Sequence, residues 1–514
     1  MGKVFLVGAG PGDVGLMTLK ARACLQEAQI IVLDRLVNAQ ALLWANPTAE
    51  LVYAGKSPHG HALTQEEINR LLVEEARAGK TVVRLKGGDP LVLGRGGEEA
   101  EALAAAGIAF EIVPGVTSAV AVPAYAGIPV THRNWASAVT IVTGNEDPSK
   151  ASDLDWEALA RGSRTLVFLM GVHNLVAITE RLKQAGMSPE VAAALIQWGT
   201  RCEEKMALGT LANLAEKAEA MGIANPAVLV VGEVVRLAPA LNWRHRLPLR
   251  GYRLMVTRPL HQAWSLARRL ALLGAEPWIF PAVEIDPLPA AERLWEQLTG
   301  EDWLVFTSAN GVEVFLGRCR TAHGQDIRRL AGIRLAAIGP ATAAKLRDYG
   351  LNVDLVAPEY RSEALAQALI TAGVRGKKVF LARAQEGRPV LAENLRAAGA
   401  RVEEVPLYRV AAPALTPIRR ELARQTRQLL QEKRVHAITF TSPSAWNYLP
   451  AALGLDGPAS LVELLEHGQV AVGAIGPITA SALKAAGLKV DFQAQVYTEE
   501  GLVSALLQFL QQPS

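Results

Sequence analysis

The densest chemistry in the chain sits in Leu85-Lys86-Gly87-Gly88-Asp89-Pro90-Leu91-Val92-Leu93-Gly94-Arg95-Gly96-Gly97-Glu98-Glu99, a loop that follows the β-branched run Thr81 to Leu85. Glycine at this density gives up more backbone entropy than a turn requires, so the pattern predicts main-chain groups that approach a ligand closely. Pro114-Gly115-Val116-Thr117-Ser118-Ala119 and Gly127-Ile128-Pro129-Val130-Thr131-His132-Arg133 fall at later element ends, where open α/β sheets place ligands. Near the amino terminus, Val7-Gly8-Ala9-Gly10-Pro11-Gly12-Asp13 invites a dinucleotide reading, with Asp34 ending the next strand. The residue types argue against it. Asp13 stands where the third glycine should open a helix, and a carboxylate there repels a pyrophosphate. A cationic ligand suits the turn better; the alternative for Asp13 is an ordinary helix cap.

The second half carries hydroxyls instead of glycines, and carries them twice. Phe306-Thr307-Ser308-Ala309-Asn310 recurs as Phe440-Thr441-Ser442-Pro443-Ser444, and Ile338-Gly339-Pro340-Ala341-Thr342-Ala343 recurs as Ile475-Gly476-Pro477-Ile478-Thr479-Ala480. Turns of this kind between strand and helix offer hydroxyls and free amides to carboxylates without a formal charge, or serve as caps. Leu273-Gly274-Ala275 leads to Pro281-Ala282-Val283-Glu284 as Ala398-Gly399-Ala400 leads to Pro406-Leu407-Tyr408-Arg409. The second half is therefore expected to be a duplicated unit whose chain crosses between lobes near Pro281 and Pro406.

These residues need a scaffold of alternating strands and helices, and the alternation of β-branched runs with alanine- and leucine-rich stretches persists throughout, the α/β signature. The texture breaks once, at residues 236 to 251, where two prolines, four arginines and a glycine read as a solvated interdomain linker dividing two complete α/β systems. With 514 residues, half of them hydrophobic, a fifth charged and a net charge of +3, the chain is a folded protein with no polybasic or acidic bias. Neither a nucleic-acid nor a membrane partner is expected. Met1 to Gly10 reads as a first strand, not a signal peptide, and apolar runs such as Val228 to Gly232 stop far short of a bilayer span, so a cytoplasmic protein is expected. Cys24, Cys202 and Cys319 form no metal-binding or disulfide spacing and are expected to be buried.

Through the motifs at Val7–Asp13, Asp34-Arg35-Leu36-Val37, the Gly87 loop, Pro114–Ala119 and Gly127–Arg133, residues 1 to 242 resemble the tetrapyrrole methylases, and among them the uroporphyrinogen-III C-methyltransferases. The resemblance implies a two-lobed fold holding S-adenosylmethionine by Pro11, Gly87, Gly88, Asp89, Val92, Thr117, Ser118, Met170, Gly199 and Ala227, with no metal. It implies two methyl transfers to pyrrole carbons that are already enamine-like, giving precorrin-2, with Asp34 as proton acceptor and Lys56 as proton donor or carboxylate ligand. Lys86, Arg95 and Arg133 are candidates for the substrate carboxylates. It also implies a homodimer through this half.

Residues 251 to 510 resemble the uroporphyrinogen-III synthases through Thr257-Arg258-Pro259, the paired turns and Pro406-Leu407-Tyr408. The resemblance implies two flavodoxin-like lobes, one of about 251 to 283 plus 410 to 514 and the other of about 284 to 409, after a linker at 243 to 250. It implies closure of hydroxymethylbilane with inversion of the last ring, where folding the substrate matters more than a catalytic triad. Tyr408 is the candidate for assisting hydroxyl departure or, alternatively, packs at the ladder between lobes; Ser308, Ser442 and Thr479 are candidate substrate ligands.

Overall fold

A computed structural model describes residues 2–55, 63–145, 154–162, 164–300, 302–322, 326–359 and 361–511. The first sheet contains β1 (Lys3–Gly8), β2 (Ile30–Leu33), β3 (Glu50–Tyr53), β4 (Thr81–Lys86) and β5 (Ala109–Val113) in the order β3-β2-β4-β1-β5. Every pairing is parallel. Strands buried on both faces need near-continuous apolar runs, which is why Ile30-Ile31-Val32-Leu33 and Val4-Phe5-Leu6-Val7 form them. A parallel sheet delivers all its strand ends to one edge, so the loops after β1, β2, β4 and β5 converge there.

The second sheet, β6 (Val139–Thr143), β7 (Thr165–Leu169), β8 (Ala192–Gln197), β9 (Lys205–Thr210) and β10 (Ala227–Val231), is mixed, in the order β6-β7-β10-β8-β9. β8 and β9 are antiparallel neighbours, so residues 198–204 make a single reversing connection.

In the second half follow β11 (Arg253–Val256), β12 (Glu276–Ile279), β13 (Glu284–Pro287), β14 (Trp303–Phe306), β15 (Arg334–Ala337), β16 (Leu355–Val356), β17 (Lys378–Ala384), β18 (Arg401–Ala411), β19 (Ala437–Phe440), β20 (Ala471–Ala474) and β21 (Phe492–Gln493). One parallel sheet is ordered β12-β11-β19-β20-β21, which in its own chain order is 2-1-3-4-5, the flavodoxin-like arrangement. The other is ordered β13-β18-β17-β14-β15-β16, and without the antiparallel β13 it shows the same pattern entered at its third strand. The duplication is thus a permuted one: β14, β15 and β16 match β19, β20 and β21, while β17 and β18 match β11 and β12.

The chain divides into two compact units, Met1–Pro281 with Ala414–Ser514, and Ala282–Pro413. Pro406 is not a crossing point as expected from the repeat; it lies within the eleven-residue β18, and the second crossing falls at Pro413–Ala414. The segment read as a solvated linker is ordered. It contains the helical turn Trp243–Arg246, Leu249 is fully buried, and buried Arg244 donates to Glu204 at 2.8 Å. Cys24 and Cys202 are buried; the Cys319 side chain lies outside those described. Among the described residues no helix is long and apolar enough to cross a membrane.

Candidate functional site

At the converging edge of the first sheet, three glycine backbones touch. A Cβ on Gly115 would stand 2.2 Å from the Gly88 carbonyl oxygen and 2.8 Å from Gly8 Cα, and one on Gly8 would stand 2.6 Å from that same carbonyl. Gly10 and Gly88 exchange both main-chain bonds, at 2.7 and 3.2 Å, and each has the positive φ, 77° and 67°, that glycine adopts freely. The Gly87 loop is fastened by Asp89, whose carboxylate accepts the amides of Leu91, Val92 and Gly115 at 2.8, 3.2 and 3.0 Å. Asp89 therefore shapes the loop with its side chain already occupied.

Pro11, Gly87, Gly88, Asp89, Val92 and Thr117 belong to loops at this edge, and Ser118 opens the helix that follows. Thr117 caps the helix Ser118–Tyr125, and the Ser118 amide nitrogen lies 3.7 Å from where a Gly88 Cβ would be. Val92 packs against a cluster that includes Ala119, Leu169 and Val228, so the second sheet closes on the first through this loop. Met170 follows β7 with φ 61° and is exposed, Gly199 follows β8, and Ala227 opens β10 with its side chain buried. A Cβ on Gly199 would meet Val122 Cγ1 at 2.4 Å, which presses the β8–β9 connection onto the helix Ser118–Tyr125. Leu93, Arg95, Met170, Trp198 and Thr200 all have positive φ without being glycine, and backbone held in this region concentrates at ligand sites.

The charged residues divide sharply. Asp13 is satisfied within the protein, accepting from the Gly15 amide at 2.8 Å and the Tyr125 hydroxyl at 2.8 Å. Asp34 is partly exposed and held by Arg84, whose Nη2 lies 2.6 Å from Oδ1; the buried Arg84 is anchored in turn by Glu99 at 3.0 Å. Lys86 is not free to meet a substrate carboxylate. It is buried with its ammonium 2.8 Å from Glu99, and burial pushes its pKa down. Arg95 is exposed and bound to Glu98 at 2.6 Å, and Arg133 is exposed in the turn closed by the His132–Ala136 bridge. Lys56 lies outside the described residues. Arg84 and Glu99 escaped the sequence reading, although a charge at alternate positions of an interior strand, Arg84 and Lys86 in Thr81–Lys86, was the available signal.

In Ala282–Pro413 the turn after β14 meets β18. The Tyr408 hydroxyl is 2.8 Å from Ser308 Oγ, which accepts the Gly311 amide at 3.0 Å, and Tyr408 is buried. Burial raises the Tyr408 pKa against the opposing hydrogen bonds from Ser308 and Asn310, so the phenol keeps its proton. In the other lobe the equivalent Ser442 caps the helix Pro443–Leu453 through the Ala445 amide and contacts Ser444 Oγ at 2.9 Å. Thr479 is buried, as is its counterpart Thr342, so its side chain faces the lobe interior rather than an open surface. A further repeat accompanies these. Gly350-Leu351-Asn352-Val353-Asp354 matches Gly487-Leu488-Lys489-Val490-Asp491, and Asp354 and Asp491 accept the amides of Leu335 and Val472 at 2.7 and 2.8 Å.

Cys202, Glu203 and Glu276 converge within 4.8 Å, a grouping a metal ion could use, but arginines occupy the carboxylates. Burial opposes ionisation of Glu276, yet Arg201 and Arg253 outweigh it and hold the carboxyl well below the usual range.

Residues 3–215 match the family model of tetrapyrrole (corrin/porphyrin) methylases, and residues 265–504 match that of uroporphyrinogen-III synthase HemD. The chain is 36% identical over 446 residues to the porphyrin biosynthesis protein HemD of Ruminiclostridium josui, covering 86% of this chain and 87% of that one. It is 42% identical over 359 residues to a uroporphyrinogen-III C-methyltransferase of Bacillus subtilis strain 168, covering 70% and 74%. It is 54% identical over 242 residues to the S-adenosyl-L-methionine-dependent uroporphyrinogen III methyltransferase of Methanosarcina barkeri, covering 47% and 95%.

Proposed function

The chain belongs to the tetrapyrrole methylases through its first half and to the uroporphyrinogen-III synthases through its second, and from that premise we propose which residues carry each activity. It is a bifunctional enzyme, a uroporphyrinogen-III synthase joined to an S-adenosylmethionine-dependent uroporphyrinogen-III C-methyltransferase. In the finer reading, residues 251–514 close hydroxymethylbilane with inversion of its last ring. Residues 1–242 then methylate the product twice to precorrin-2, on the branch toward sirohaem and cobalamin.

The contact of the Gly8, Gly88 and Gly115 backbones carries the reading of the methyl-donor site. It leaves the edge of the first sheet lined by main-chain groups, while Asp13 is already satisfied and offers nothing to a pyrophosphate. S-adenosylmethionine, when bound, supplies an electrophilic methyl group. Pro11, Gly87, Gly88, Val92, Thr117, Ser118, Met170, Gly199 and Ala227 hold it, and Asp89 does so indirectly by shaping its loop. Asp34, oriented by Arg84, accepts the proton released as the pyrrole carbon becomes methylated. Arg95 and Arg133 are exposed and suited to the substrate carboxylates, Lys56 stays the candidate donor, and Lys86 serves with Glu99 as the buried support for Arg84.

In the synthase half, the protonated Tyr408 donates a hydrogen bond to the departing hydroxyl, held in place by Ser308. Ser442 and the turn before Thr479 receive carboxylates. Exposed Leu36, Leu91, Val120 and Trp135 support a homodimer through the first half.

Isomer-resolving chromatography with mass spectrometry of the products from hydroxymethylbilane tests the whole reading. Uroporphyrinogen III is expected without the methyl donor and a doubly methylated product with it. Formation of the uninverted isomer alone, or no change of mass when the donor is added, would sink the reading.

A further inference from the structure

Residues 198–204, the connection from β8 to β9, have two faces. On one, a Cβ at Gly12 would lie 2.8 Å from Arg201 Cδ and 2.9 Å from Thr200 Oγ1, and that hydroxyl accepts the Asp13 amide at 3.1 Å. The connection thus backs directly onto the glycine turn assigned to the methyl donor, and it carries Gly199, which is assigned to the same site. On the other face it is gripped by residues of the second half. Glu276, the first residue of β12, accepts Arg201 Nε at 2.9 Å through one oxygen, and the Cys202 amide at 2.9 Å and Arg253 Nη2 at 3.0 Å through the other. Arg253 also binds Glu203 at 2.6 Å, and Arg434 Nε binds Glu203 at 3.0 Å.

Trp198 and Thr200 are held at φ 48° and 71°, conformations that persist only where surroundings impose them. From the second half Glu276 reaches the two residues that follow Thr200, holding the Arg201 side chain through one oxygen and the Cys202 main chain through the other. Its own strand is fixed at the far end as well: the Gln40 side chain accepts the Ile279 amide at 2.7 Å and donates to the Ile279 carbonyl at 3.2 Å. Removing a carboxylate that is only 11% exposed leaves the fully buried Arg253 without one of its two carboxylate partners.

We propose that Glu276 of the synthase half is a positioning residue for the methyl-donor site of the methyltransferase half. The inference rests on the assignment of that site. It makes the donor site and β12 physically coupled: whatever orders the 198–204 connection for the donor also tightens β12 onto it, and linkage makes the two binding free energies shift equally in both directions.

Calorimetric titration of the full chain with S-adenosylhomocysteine tests this, using wild type, Glu276→Gln and Glu276→Ala. Affinity is expected to fall about tenfold in the alanine variant, within the usual span of site-to-site coupling, and less in glutamine, which keeps an acceptor for the Cys202 amide. Turnover with saturating donor should stay within about twofold of wild type, the split expected of a residue that acts on binding. Folded variants that bind as tightly as wild type would overturn the proposal and leave Glu276 as adhesive alone. Should the alanine variant fail to fold, wild type decides by amide exchange: the donor analogue must slow exchange in Glu276–Ile279, and unaltered exchange there overturns the proposal equally. Failure of the underlying site assignment looks different. Wild type would then bind no S-adenosylhomocysteine, or Gly115→Ala would bind it normally.

Discussion

The edge of the first half that we propose for the methyl donor is built from main chain, and the matched turns of the second half are built from hydroxyls. In the first, glycines bring carbonyls and amides within contact of one another, as at Gly88 and Gly115, and neighbouring residues hold left-handed backbone. In the second, Ser308 and Ser442 sit in relaxed strand-to-helix turns, each accepting an amide three residues on. A site made of backbone tolerates no added atom, because there is no side chain to move aside. A site made of caps can lose an atom and keep its shape. The contrast predicts how steeply each half responds to substitution.

The largest effect is expected for Gly115→Ala. Its methyl would overlap main chain at Gly88 and Gly8, where relief requires shifting β1 or β4 and overpacking of this sort costs about 1–3 kcal/mol or more. Titration should detect no binding of S-adenosylhomocysteine while synthase turnover is retained; normal binding would break the contrast. A smaller loss is expected for Tyr408→Phe, on the order of 10²-fold in formation of the type III isomer if the phenol assists departure of the hydroxyl. Methylation of preformed uroporphyrinogen III is the control, and a phenylalanine variant with full synthase rate assigns Tyr408 to packing. The smallest effect sharpens the comparison within the second half itself. Ser442→Ala removes a cap and a proposed carboxylate ligand, and should lower stability by about 1 kcal/mol and raise KM with little change in kcat, whereas Ser308→Ala should depress kcat toward that of the Tyr408 variant. Equal kinetic losses at both serines would show that the two turns serve the substrate alike.

What the sequence disclosed follows the same division. Glycine density and the repeated Thr-Ser and Gly-Pro turns are local patterns, so they were readable, and with them the α/β class and the duplication. Long-range pairing was not. Arg244 looked like a solvated linker charge because its partner Glu204 lies forty residues away in sequence, and Lys86 looked available because Glu99 is remote until the helix Gly96–Ala105 docks. Pro406 was mistaken for a crossing point because a proline at a repeat boundary looks like one, while β18 runs through it, pairing it with Arg383 of β17 where the register shifts. The repeat Gly350–Asp354 against Gly487–Asp491 was legible and missed. Its aspartates fix strands through main-chain amides, a use that carries no catalytic signature.

The insertion of Ala282–Pro413 into a sheet has a consequence for a chain made on the ribosome. β11 and β12 emerge well before β19, the strand that must lie against β11, because the whole inserted unit is synthesised in between. Two parallel strands with one side open are an aggregation hazard during that interval. The methyltransferase half has already emerged by then, and it supplies the Gln40 amide to the Ile279 edge and Glu203 to Arg253. The order of the fusion, methyltransferase first, gives the unfinished synthase lobe a surface to wait on, which the reverse order would not.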